Sequence, residues 1–230
     1  MEGKSSGTVL DVARQRGGAQ PGVVSLLDRS RFGNDGAMTN VTWTQLPTGL
    51  WVMGFNGATS TVDCGHSESL RLTSEVTMMA WVLFTDFSGH CPVIFMESGG
   101  QLGYCMGAQQ TTGNIFVIWA DNTGGHLWGP AIPMPAGIWV FLAVTIRSGM
   151  QIVYVNGVNA GNLVVAYATL APANHDLGIG VTSNLIDAGG GGDFSGHMNG
   201  QIVLDRVKGY ALTPAQIRSK FAATRRLFGV

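Results

Sequence analysis

Charge is what this chain has least of. Asp, Glu, Lys and Arg together make up 12% of its 230 residues and the formal net charge is -1, where an ordinary soluble domain carries about 25% charged residues. So neutral a surface lacks the basic footprint that a phosphate backbone demands, so nucleic acid is not an expected partner. It also gives little colloidal repulsion, which favours a homo-oligomer or a subunit bound in an assembly over a free monomer. The plainer alternative is that Gly, Ser, Thr and Asn simply replace charges in loops. The glutamates are Glu2, Glu68, Glu75 and Glu97, with no second acid near Glu97, while Asp187 and Asp193 flank a glycine run that holds no fixed separation. A glycosidase needs two carboxyl groups set across the scissile bond, so no enzyme is expected.

Other absences narrow the field further. Cys64, Cys91 and Cys105 are an odd number without CxxC spacing, which argues against a disulfide framework and for buried free thiols in a reducing compartment. No Gly-x-Ser-x-Gly string stands at a strand-to-helix turn, where it would mark a strained nucleophile, and His66, His90, His126, His175 and His197 share no metal-ligand spacing, so neither a strained serine nucleophile nor zinc is expected. No apolar run reaches the length of a membrane span, and the first twenty residues hold none of secretory length. The expectation is a chain made in the cytoplasm without a signal peptide and without a membrane partner.

Short β-type runs separated by glycine-rich turns fill the chain from Val23 onward: Leu50 to Phe55, Thr77 to Phe84, Val93 to Met96, Ile115 to Trp119, Ile138 to Ile146, Ile152 to Val155, Leu163 to Tyr167 and Gln201 to Val207. The clearest is the hairpin from Gly137 to Gly161, whose Asn156-Gly157 pair tolerates the positive φ of a tight turn. Helical periodicity is confined to the C-terminus, where Thr213 is placed as N-cap, Pro214 as the first helical residue and Gln216 as the capping-box partner, with Ile217 and Phe221 on the packing face. The fold class is therefore all-β with one short C-terminal helix. Residues 1–24 are expected to be an arm, 25–212 the β domain, and 213–230 the helix and a basic tail.

Three blocks carry a resemblance: LLDRSRFGNDGAM (26–38), GLWVMGFNGATSTVDCG (49–65), and AGIWVFLAVTIRSGMQIVYVNGVNAG with FSGHMNGQIVLDRVKGYALTPAQI. In order and spacing they are similar to the concanavalin A-like lectin/glucanase superfamily, in particular its laminin-G-like and pentraxin-like jelly-roll domains. The resemblance implies two packed antiparallel sheets, a β-sandwich. It also implies departures, since Ala58 to Thr61 and Val203-Leu204 stand where many relatives carry acidic residues. Calcium stays open through loop oxygens, with Asp28, Asn34 and Asp35, or Asp187 and Asp193, as ligands, against the plainer reading that Asx side chains bond their own turns.

For carbohydrate, the segment IWADNTGGHLWGP offers Asp121, Asn122, His126 and Trp128 around a hairpin loop, with Trp119 assigned to the core. Two functions follow. Such lectin-like domains recur in phage virion proteins, so the first is a non-enzymatic structural or adhesion protein of a viral particle, a capsid decoration or tail-associated subunit whose partners are other virion subunits. The second is a carbohydrate-binding module for cell-surface glycans.

Overall fold

The structure, a computed structural model, describes residues 7–12, 24–98, 102–121, 124–128, 131–147, 150–164, 169–172, 174–186 and 196–230. In chain order its strands are β1 (Thr8–Asp11), β2 (Ser25–Leu26), β3 (Gly36–Thr39), β4 (Thr42–Gln45), β5 (Trp51–Asn56), β6 (Thr61–Asp63), β7 (Val76–Phe84), β8 (Cys91–Ser98), β9 (Leu102–Ala108), β10 (Ile115–Asp121), β11 (Gly124–Trp128), β12 (Val140–Arg147), β13 (Met150–Val155), β14 (Val158–Leu163), β15 (Gly178–Ile179) and β16 (Asn199–Lys208). They form two antiparallel sheets. The first has the order β14-β13-β12-β7-β16-β5-β4, with β1 also paired to β16, and the second the order β11-β10-β9-β8-β15-β6-β3-β2. The helix α1 (Pro214–Thr224) lies on the outer face of the first sheet.

The two-residue alternation of a strand explains how β7 serves two cores. Its Val76, Met78, Ala80, Val82 and Phe84 enter the inter-sheet core, while Met79 and Trp81 point the other way, under the helix. Trp81 is fully buried there, its ring stacked 4.0 Å from that of Phe228 and 5.7 Å from that of Phe221. The helix begins as its capping box dictates: the Gln216 backbone N–H donates to the Thr213 hydroxyl, and the Thr213 N–H donates to the Gln216 side chain at 2.8 Å. Beyond it the basic tail is not merely solvated, because Phe228 is buried while Arg225 and Arg226 stay exposed.

The hairpin turn is as expected, with Asn156 at φ 51° and Gly157 at φ 77°, the two positive values of a type I′ turn. That turn corrects one strand assignment. A two-residue turn sends the chain straight back, so β14 starts at Val158, opposite Val155, whereas the expected run was Leu163 to Tyr167; residues 165–167 of that run lie outside the described residues. The polar sequence VNAGNL of this edge strand has no apolar alternation to announce it. Cys64, Cys91 and Cys105 are buried and free.

The arm also differs from expectation. Its described part, Gly7 to Val12, includes β1, which pairs with the Arg206–Lys208 end of β16, and Val9, Leu10 and Val12 are buried in the inter-sheet core. The short apolar patch of the N-terminal segment is thus a piece of the sandwich. Among the described residues no helix is long and apolar enough to cross a membrane.

Candidate functional site

An open groove lies at the β4 edge of the first sheet. It holds about 270 Å³ and among the described residues is lined by Asn40, Thr42, Thr44, Gly54, Phe55, Asn56, Thr85, Gly200 and Gln201. Register puts its floor together: Gly54 of β5 stands opposite Thr42 of β4 on one side and Gln201 of β16 on the other, and Gln201 stands opposite Leu83 of β7. The outward side chains of this row therefore read Thr, Gly, Gln, Leu, and the glycine makes the notch. A Cβ at Gly54 would stand 2.5 Å from the Thr42 hydroxyl oxygen, so the space exists because that position carries no side chain.

The end wall is a rigid loop. Asn56 Oδ1 accepts from the backbone N–H groups of Ala58, Thr59 and Ser60 at 3.0, 2.8 and 3.1 Å, and the Ser60 hydroxyl donates to the Asn40 carbonyl at 2.7 Å. Thr44, Thr85 and Gln201 make no side-chain hydrogen bond to the described residues, which leaves two hydroxyls and an amide free to meet a ligand. None of the nine lining residues is ionisable. Beside the groove Asp86 follows Thr85; the Ser88 backbone N–H, then the Ser88 hydroxyl, hold its carboxyl below the usual carboxylate range, and Asn199 Nδ2 donates to its Oδ2 at 2.8 Å.

The proposed calcium residues do come together, as a turn. Asp28 Oδ1 accepts from the N–H groups of Asp11 and Ser30 at 2.9 and 2.8 Å, and Oδ2 accepts from the Ser30 hydroxyl and the Asn34 N–H at 2.6 and 2.8 Å. Asp35 Oδ1 accepts from the Asp28 N–H at 2.7 Å, and the Asn34 amide donates to the Val9 carbonyl at 2.6 Å. Oxygens that already face donors are not turned toward a hard cation, and among the described residues no group of three or more His, Cys, Asp or Glu is placed to hold a metal ion. Asp187 and Asp193 lie outside the described residues.

Of the carbohydrate candidates, the backbone of Asp121 and of residues 124–128 forms the β10–β11 hairpin at the edge of the second sheet, with Asp121 opposite Gly124 and Val117 opposite Trp128. Asn122 and the side chains of Asp121, His126 and Trp128 lie outside the described residues. Trp119 is core, as expected, at 1% exposure. Nothing in the sequence marks the Gly54 groove except a glycine inside a strand, a usual sign of close backbone approach.

A model of the concanavalin A-like lectin/glucanases superfamily matches residues 56–218. The chain belongs to that superfamily. Among solved structures the domain is similar to domain 4 of AbnA, a GH43 extracellular arabinanase from Geobacillus stearothermophilus, in complex with arabinotriose, at TM-score 0.69 and 17% identity over 94% of this chain and 98% of that one. It is similar too to the binding domain of Paraclostridial Mosquitocidal Protein 1, at TM-score 0.71 and 11% identity, and to that of botulinum neurotoxin serotype G, at 0.65 and 14%. Each of those matches covers 94% of this chain, which spans only 52% and 51% of the two toxin chains. At these identities the likeness establishes the lectin-like jelly-roll fold. No curated protein sequence matches the chain.

Proposed function

We propose that this domain is a non-catalytic carbohydrate-binding module whose ligand lies in the Gly54 groove. The observation that carries the reading is the groove's lining: the Thr44 and Thr85 hydroxyls and the Gln201 amide, unspent on the described residues, around a notch open to solvent. Sugar hydroxyls are donors and acceptors at once, and such side chains can answer them in both senses. The structural neighbour that this chain matches almost end to end was solved with arabinotriose, which supports the same role here. The particle-subunit reading, a capsid decoration or tail-associated protein, draws no support from the N-terminal segment, whose described part is spent inside the sandwich.

A glycan array followed by calorimetric titration of the strongest hit tests the proposal. Binding is expected, with Gly54→Ala and Gln201→Ala each weakening it at least tenfold while the unfolding midpoint of Gln201→Ala stays unchanged. Loss of binding in Trp128→Ala but in neither groove variant would move the site to the β10–β11 hairpin with Asp121, Asn122 and His126. Silence across the array would overturn the function itself.

A further inference from the structure

Resting on that reading, we infer that the groove selects uncharged glycans over their anionic counterparts and binds them without a divalent cation. The notch at Gly54 offers one sugar ring the Thr44 hydroxyl from β4, the Thr85 hydroxyl and the Gln201 amide from β16. These groups exchange hydrogen bonds with hydroxyls at little net cost, because they replace water in kind. A sialic acid or uronate carboxylate brought to the same place gives up hydration and meets no Lys or Arg among the described lining residues in return.

A second feature acts in the same direction. Asp86 follows Thr85 at the groove's end, and its hydrogen bonds from Ser88 and Asn199 favour the ionised form. Its negative charge repels an acidic sugar and leaves a neutral one unaffected. It is tied to donors of its own, so it is not arranged as one of several oxygens around an ion. Metal-bridged capture of sugar hydroxyls, which would need such a set, finds no carboxylate among the described lining residues.

The test titrates the full chain with matched pairs on one array, neutral oligosaccharides beside their sialylated and uronate forms, in EDTA and again in calcium chloride. The expected result is binding of neutral members, at least tenfold weaker binding of the acidic ones, and the same affinities in both buffers. Discrimination should narrow in Asp86→Asn and at 0.5 M salt, as a charge effect requires. Acidic forms bound as tightly as neutral ones, or binding abolished by EDTA, would overturn the selectivity while leaving sugar binding intact. Binding of neither class would remove both claims, and the two failures are thus told apart.

Discussion

The indole N–H of Trp81 donates at 2.9 Å to the hydroxyl of Thr224, a residue 143 positions later in the chain. The same hydroxyl donates to the Lys220 carbonyl at 2.9 Å, so the last turn of α1 is tied both to itself and to the centre of the first sheet. Replacing Thr224 by Val keeps the shape and strands a buried N–H, at a cost of about 1–3 kcal/mol. Urea unfolding of Thr224→Val should show that loss, and Thr224→Ser should recover most of it.

Asp205 is fully buried, and among the described residues no donor apart from its own main-chain N–H reaches its oxygens. Burial pushes its carboxyl well above the ordinary aspartate value, only partly opposed by that N–H and by Arg206. A folded-state pKa above the unfolded one means that the contribution to stability is whole below about pH 4, the unfolded value, and is lost as pH rises through the folded value. Asp205→Asn should therefore unfold at higher urea than the parent at pH 8, with the gap closing toward pH 4. An equal gap at both pH values would show that the carboxyl is not responsible.

Deleting residues 1–12 should unfold the sandwich or leave it without fixed packing. Val9, Leu10 and Val12 are 0%, 0% and 2% exposed, and burying such a side chain is worth about 1.5–3 kcal/mol. Losing all three removes much of the roughly 5–15 kcal/mol that a domain has. Near-ultraviolet circular dichroism of the truncated chain checks this, and a native spectrum with an unchanged urea midpoint would refute it.

Gly157→Ala should cost about 1–2 kcal/mol for the positive φ alone. More is expected, because the new Cβ would stand 3.0 Å from the Cβ of Phe221 and press on the helix. Thermal unfolding of this variant is the measurement.

Asp28→Ala should destabilise the fold by about 1–3 kcal/mol for each buried donor left without a partner, since its carboxylate holds the N–H groups of Asp11, Ser30 and Asn34. Added calcium should leave the unfolding midpoint of the parent unchanged. A rise at millimolar calcium would instead assign Asp28, Asn34 and Asp35 to a cation.

Much of the fold was legible because its signals are local. Asn156-Gly157 can be read as a turn from two residues, and Thr213, Pro214 and Gln216 as a helix start from four. Strand β9 escaped, since LGYCMGA is interrupted by glycines and lacks a clean apolar run. The carbohydrate candidates were chosen for an aromatic near polar groups, a pattern visible along the chain, whereas the groove has no linear pattern to see.

Composition and short-range pattern by themselves determined an all-β chain, its main hairpin, its capped helix and its buried free cysteines, because turn geometry, capping and burial preference act within a few residues. Only the tertiary structure decided that Gly54 faces Thr42 and Gln201, and that the N-terminal segment is a strand. Those pairings join residues 147 to 200 positions apart as well as near neighbours. Their register is set by which faces the two sheets bury against each other, a choice that no local stretch of sequence makes alone.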